Sequence, residues 1–240
     1  MTDDIIIHPL KTSKDVTVPS QGILFVNPGE AKAVLTTVLE QGGKRAFLHN
    51  SQLAITSAKD LFVAGPAIGA PSAVLVMEKL IVLGARSIIL MGWCGAVDNG
   101  YSIGDIVIPT GAVCGEGTSQ YYSDETNPSP SPIAVSALKT MLDGENLSYR
   151  EGRIWSTDAP YRESRSHLRR LNAQENVVGV DMEFSALCNV AAFRKIDFGA
   201  VLIVSDELWS TTWKPGFKNK RFQQQCRQVQ HCLINRQDKA

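Results

Sequence analysis

The chain alternates short apolar runs with amphipathic stretches, and Gly and Pro punctuate the boundaries between them. Residues 22–27, "GILFVN", read as a buried strand stopped at Pro28-Gly29, and "EAKAVLTTVLEQGG" then carries apolar positions at helical spacing up to a Gly stop. "QLAITSAKDLFVAGP" predicts two short strands joined around Ser57 to Asp60. "PSAVLVMEKLIVLGA" predicts a helix with Pro71 near its start and Gly84 at its end, and "SIILMG" after it is an apolar strand. Strand, helix and strand make a βαβ unit of ordinary size.

Further along, "YSIGDIVIP" predicts a Gly-turned strand, and the prolines of "DETNPSPSP" (124–132) predict a surface loop. Residues 133–142 read as a helix and "YREGRIWSTD" as a strand ending in a polar loop. "VGVDMEFSALCNVAAFRK" carries a long apolar stripe compatible with one helix. "FGAVLIVSDE" is a late strand, and the polar chain from Lys218 onward is helical in tendency. The pattern predicts one α/β domain over residues 1–240 with a central mixed sheet. Open sheets bind ligands beyond the carboxyl ends of their strands, which here directs attention to 65–72, 92–96 and 205–207.

Composition narrows the function. With 44% hydrophobic residues the 240-residue chain can bury a substantial core, and a formal net charge of zero gives no global attraction to nucleic acid or to an anionic membrane. No apolar run approaches the roughly 20 residues of a membrane span. The start, "MTDDIIIHPLK", lacks the basic flank and cleavage site of a secretory signal, so a soluble cytoplasmic protein is the expectation. Five cysteines with no CxxC pair, and four scattered histidines, predict neither a disulfide framework nor a metal site. No Walker A run, GxGxxG, HExxH or completed GxSxG elbow occurs.

What remains is a set of modest constellations. "GPAIGAPS" places Gly65 and Gly69 before a helix start whose free amides suit an anion or a sugar hydroxyl, or serve merely as a turn. Asp206, between Ser205 and Glu207, is either a local cap or a carboxyl able to protonate a leaving nitrogen. Glu183 in "DMEFSA" is either a solvated helix residue or an acceptor for two adjacent hydroxyls. Trp155 and Tyr161 flank "STD" and could cover a base or belong to the core. His8 and His49 read more simply as surface residues. The basic run "KPGFKNKR" (214–221) is either a solvated face or a cationic lid.

Taken in order from about Gly22 to Asp206, "GPAIGAPS", "MGWCGAVDNGYSIGDIVIP", "GVDMEFSAL" and "VSD" resemble the Gly-rich turn, central signature, Met-Glu motif and proton-donor loop of the nucleoside phosphorylase/uridine phosphorylase superfamily. The resemblance implies a three-layer nucleoside-phosphorylase-like fold and cleavage of the N-glycosidic bond of a nucleoside. The Asp at position 206 looks more like the purine branch. It further implies that Met182 and Glu183 hold the ribose, that Trp155, Ser205 and Asp206 attend the base, and that Asp206 is the catalytic proton donor. His8 would match a histidine lent to the 5′ end by a neighbouring subunit. A homo-oligomer follows, the hexamer among the family's assemblies, with no cofactor beyond inorganic phosphate as co-substrate.

The phosphate ligands are where the sequence departs from that family. In the first loop, "NPGEAK", Gly29 survives, but the arginine position falls on Ala31, leaving Lys32 as a displaced substitute. A second arginine falls on Leu90, the hydroxyl residue falls on Trp93, and Arg45 matches the region where some members lend an arginine across an interface. Phosphate needs fixed donors and positive charge to offset its desolvation. Three readings stay open: a phosphorylase with ligands recruited from Lys32, Arg45 or 214–221; a nucleosidase in which Glu30 positions water; and a nucleoside-binding relative with Trp93 filling the anion pocket.

Overall fold

The computed structural model describes residues 4–235. In chain order the elements are β1 (Gln21–Phe25), α1 (Pro28–Glu40), β2 (Lys44–Leu48), β3 (Ser51–Ile55), β4 (Leu61–Gly65), α2 (Ala70–Leu83), β5 (Ser87–Ala96) and β6 (Ile106–Gly115). There follow α3 (Pro132–Gly144), β7 (Tyr149–Thr157), α4 (Arg165–Glu175), β8 (Val177–Asp181), α5 (Phe184–Arg194), β9 (Asp197–Glu207), β10 (Lys214–Pro215) and α6 (Lys220–Ile234).

Side chains alternate across a strand, and the apolar runs bury both faces. Leu24, Ile88 and Leu90 pack into one layer with α2 and α5, whereas Ile23, Phe25, Ile89 and Met91 pack into the other with α1, α3 and α6. The result is a three-layer α/β fold. A smaller cluster joins α4, through Leu168 and Leu171, to Trp155 and Val180.

The sheet order is β10-β9-β6-β7-β8-β5-β1-β4-β3-β2, with β5 also pairing β9. Parallel pairs such as β1–β4, β1–β5 and β7–β8 coexist with antiparallel ones such as β2–β3, β3–β4 and β6–β9, as a mixed sheet requires. The β5–β9 pairing closes β5, β8, β7, β6 and β9 into a ring. β5 stays with β1 only as far as Met91 and meets β8 only at Gly95 and Ala96. Between those points, Gly92, Trp93 and Cys94 have β9 on one side and a gap between β1 and β8 on the other. That gap is the cleft in which the site lies.

The structure corrects the reading of 178–195 as one helix: it is most of strand β8, a break at Met182 and Glu183, and then α5. The apolar stripe arises because both elements are buried on all sides. Pro28 begins α1 instead of only ending β1, using its fixed φ at the first helical turn. β5 and β6 continue through the Gly-rich stretches after them, and β2, α4 and β10 have no counterpart in the pattern reading.

Candidate active site

A cavity of about 650 Å³ opens at the carboxyl ends of β1, β5, β8 and β9. The loops 160–165 and 208–217 form its outer walls. All three stretches singled out by the strand-end rule converge here, since Ile68, Trp93 to Gly95 and Ser205-Asp206 share the lining.

Glu183 stands at the break between β8 and α5, 5% exposed. Its Oε1 accepts the Gly69 N–H at 2.5 Å, and its Oε2 lies 3.3 Å from the Met182 N–H. Gly69 has φ +82° and caps α2, a conformation that favours glycine and aims its N–H across at Glu183. Behind it, the buried Asp181 accepts the N–H groups of Glu183 and Phe184 at 3.2 and 2.8 Å and the Ser156 hydroxyl at 2.5 Å. Burial, reinforced by the Asp181 charge, pushes the Glu183 carboxyl well above the usual carboxylate range. Burial likewise raises Asp181, against the hydrogen bonds that favour its charged form. The pair is a buried acceptor set, open to the cavity and fixed from behind by backbone donors.

Asp206, the last but one residue of β9, also lines the cavity. Ser205 Oγ donates to its Oδ1 at 2.6 Å, and the Trp213 indole N–H donates to its Oδ2 at 2.8 Å. Gly95 makes room for it, because a Cβ there would lie 2.7 Å from Leu208 Cδ1 and 3.3 Å from Asp206 Oδ2. Glu163, on the loop before α4, also lines the cavity, and burial together with the Asp206 charge pushes its carboxyl to about 7. A carboxyl at that value holds or releases a proton near neutrality, as acid chemistry on a leaving base needs. Cys94 lines the floor, but burial and the surrounding carboxylates hold its thiol well above the ordinary range, so it stays protonated.

The β1–β5 end of the cavity carries the departures from the phosphate-binding pattern. Trp93 packs on Phe222 edge-on at 5.3 Å and on Phe217 at 5.7 Å, forming an aromatic wall that Trp213 extends. Its indole N–H is buried without a hydrogen bond of normal geometry and faces the Cys226 thiol. Gly29 and Glu30, expected at the phosphate or water site, lie in the first turn of α1 next to the lining Asn27, and neither lines the cavity itself. Glu30 is partly buried with Oε2 unpartnered, and burial raises its carboxyl while its own backbone N–H opposes the shift. A carboxylate thus occupies the helix start where an anion would otherwise bind.

Several expected residues lie elsewhere. Lys32 is exposed on α1, and Arg45 is exposed on β2 beside a separate groove with Lys44 and Lys59. His8 sits exposed in a segment without regular secondary structure. Trp155 is 8% exposed, packs edge-on with His167 at 4.9 Å and is not among the residues lining the cavity. The basic run is no lid over it: Lys214 pairs with Glu207 at 3.3 Å and Arg221 with Asp105 at 2.5 Å. Tyr161 is exposed at the cavity mouth. Sequence reasoning missed Glu163, Asp181, Trp213 and Phe217; of these only Asp181, next to the Met-Glu pair, carried a local signal. Among the described residues no group of three or more His, Cys, Asp or Glu is arranged to hold a metal.

Fold and cavity together define an α/β protein with an acidic, aromatic small-molecule cleft at its strand ends. The chain belongs to the phosphorylase superfamily, whose family model matches residues 13–234. It is 31% identical over 150 residues to the guanosine phosphorylase of Halorubrum lacusprofundi, covering 62% of each chain. Over 153 residues it is 30% identical to the uridine phosphorylase of Treponema pallidum, covering 59% of each. The matched region thus spans about three fifths of the length of these curated relatives. Its fold matches the crystal structure of purine nucleoside phosphorylase from Toxoplasma gondii in complex with immucillin-H, with a TM-score of 0.78 at 18% identity, covering 93% of this chain and 96% of that one.

Proposed function

We propose that the protein cleaves the N-glycosidic bond of a nucleoside, with a purine as the leaving base. The observation that carries this reading is that Glu183 and Asp206, from the ends of β8 and β9, line one cavity. Glu183, with Met182 beside it, takes the ribose hydroxyls. Asp206, oriented by Ser205 and Trp213, meets the base and delivers or shares the proton its departing nitrogen requires. Glycosidic cleavage passes through an oxocarbenium-like sugar, and the cavity carboxylates stabilise that developing charge. The guanosine phosphorylase relative supports a purine base, while the uridine phosphorylase relative leaves the pyrimidine as the competitor.

Phosphate is the co-substrate the family suggests, yet water is the nucleophile this cavity favours. Arg165 is the one cationic side chain among the described lining residues, and its guanidinium donates to the Thr211 carbonyl. Beside Trp93 the buried Asn27 Oδ1 on the lining lacks a partner, and Glu30 Oε2 in the adjoining helix turn lacks one too; acceptor oxygens suit a small neutral donor molecule better than a dianion. Catalysis by a homo-oligomer fits the same reading: His8 and Arg45 lie away from their own cavity, and Ile5, Ile6, Ile7 and Leu10 are exposed beside His8.

The test is free-base release from a panel of purine and pyrimidine nucleosides, with and without phosphate. Purine release at a rate indifferent to phosphate is expected. Release that requires phosphate overturns the water assignment, preferential uracil release overturns the purine assignment, and no release under either condition overturns the proposal.

A further inference from the structure

A second groove, of about 510 Å³, lies at the other end of the sheet from the cavity. Its walls are residues 16–19 ahead of β1, the start of β2 with Gly42 before it, and the turn from Ile55 to Lys59 between β3 and β4. β1 runs parallel to β4, and β3 runs against both β4 and β2. The first residues of β1, β2 and β4 therefore gather at one end, away from the carboxyl ends that hold the cavity.

Local structure fixes these walls. The Val18 N–H donates to the Leu83 carbonyl at 3.1 Å, which ties the first wall to the end of α2. In the turn, the Lys59 N–H donates to the Thr56 carbonyl at 3.0 Å and the Thr56 hydroxyl donates to Asp60 Oδ1 at 2.6 Å. Gly42, with φ +85°, faces that turn, and a Cβ there would lie 3.8 Å from Ser57 Cβ.

The lining combines two chemistries. Val18, Pro19 and Ile55 form an apolar wall, and Lys44, Arg45 and Lys59 stand exposed around it. A fourth cation, Lys11, donates to the lining Thr17 hydroxyl at 2.5 Å. No carboxylate lines the groove. Asp15 and Asp60, each next in sequence to a lining residue, are engaged: Asp15 pairs with Lys79 at 2.8 Å, and Asp60 takes the Thr56 hydroxyl. Among the described residues, none of Lys44, Arg45 and Lys59 forms an ion pair or a side-chain hydrogen bond. A concave surface lined by one sign of charge focuses the field, so this is a local positive site on a chain of zero formal net charge.

We propose that this groove binds a small organic phosphate, a phosphate ester on an apolar body, at a site separate from the cavity. Lys44, Arg45 and Lys59 hold the anionic end, and Val18, Pro19 and Ile55 receive the body. Charge-assisted donors offset the desolvation of a phosphate, and the apolar wall favours the ester over free phosphate. The cavity at the other end of the sheet, lined by Glu163, Asp181, Glu183 and Asp206, repels the same ligand. The two ends of the sheet thus select different chemistry.

The test is calorimetric titration of the full chain with 1-naphthyl phosphate, 1-naphthol and inorganic phosphate. None of the three carries a ribose, so the outcome is independent of the nucleoside-cleaving reading. The ester is expected to bind about tenfold or more tightly than either of the other two. Its affinity should fall when salt is raised from about 0.05 M to about 0.5 M, because exposed charges are screened. The double variant Lys44→Gln, Lys59→Gln, matched to the wild type in Tm without ligand, should lose about tenfold in affinity for the ester and keep its affinity for 1-naphthol. Lys44→Arg, Lys59→Arg should retain ester binding. Absence of ester binding, equal affinity for the ester and free phosphate, indifference to salt, or wild-type affinity in the glutamine variant overturns the proposal. Capture by phosphatidylserine vesicles with no binding of the soluble ester overturns it as well.

Discussion

Replacing Asp206 by Asn tests the assignment of the proton donor with little change in shape. One amide oxygen can still accept from Ser205 or from the Trp213 indole, at positions now 2.6 and 2.8 Å away, but the amide NH₂ then faces the other donor. Losing one such hydrogen bond at a partly exposed site costs about 0.5–1.5 kcal/mol. In a chain of 240 residues that moves Tm by about 1–6 °C. Loss of a general acid costs roughly 10²–10⁴ in rate, or about 2.7–5.4 kcal/mol of activation free energy at 1.36 kcal/mol per decade. Catalysis should therefore suffer well beyond stability. The assay follows base release by ultraviolet absorbance from a neutral purine nucleoside and from 4-nitrophenyl riboside, whose leaving group departs without a proton. The purine rate should collapse and the nitrophenyl rate should nearly persist. Equal losses on both substrates would refute the proton-donor role, as would a fully active variant. The substitution also removes one of the two causes that raise Glu163, so its titration should fall below about 7 while the burial contribution remains.

Three further outcomes follow from the geometry. Glu183→Gln keeps an acceptor for Gly69 but replaces the carboxyl that meets the ribose hydroxyls, so KM for the nucleoside should rise about 2- to 10-fold, in line with a hydrogen bond worth about 0.5–1.5 kcal/mol; an unchanged KM contradicts the ribose role. Because the folded chain holds the Glu183 proton more tightly than the unfolded chain does, stability falls as pH rises from the ordinary carboxylate range through neutrality. Urea midpoints at pH 5 and 8 should show a smaller fall for Glu183→Gln than for the wild type, and equal falls contradict the buried-carboxyl account. Trp93→Ala removes the ring packed on Phe217 and Phe222 and should destabilise the fold by about 2–4 kcal/mol without creating phosphate dependence, since Glu30 stays at the helix start. If His8 and the exposed Ile5–Ile7 strip complete a neighbour's site, light scattering will show an oligomer that Ile6→Asp weakens; a monomeric wild type contradicts that arrangement.

The pattern of the chain disclosed the framework because β1, β4, β5 and β9 are buried on both faces and read as uninterrupted apolar runs. The same burial hid the junction at Met182. With α5 enclosed on all sides, strand and helix share one apolar composition, and the break is made by Asp181 accepting the Glu183 and Phe184 N–H groups. Glu183 and Asp206 were legible from local motifs at strand ends. Glu163 was not, because it lies in the polar stretch "PYRESR" and its shift comes from burial in the folded chain and from the charge of Asp206, 43 positions further on. Motif order suggested roles for Lys32, Arg45 and His8, but location within one chain depends on tertiary placement, and each is exposed away from the cavity. Trp155 had the aromatic chemistry of a base platform, yet its strand turns it toward Leu168 and Val180.

The central claim is that this cavity breaks a nucleoside's glycosidic bond through Glu183 and Asp206 together. It is tested most directly by the time course of free purine formed from a nucleoside by the wild-type chain and by the folded double variant Glu183→Gln, Asp206→Asn. The account predicts steady release by the wild type and none above background by the variant. Intact nucleoside with both proteins, or equal release by both, would contradict it.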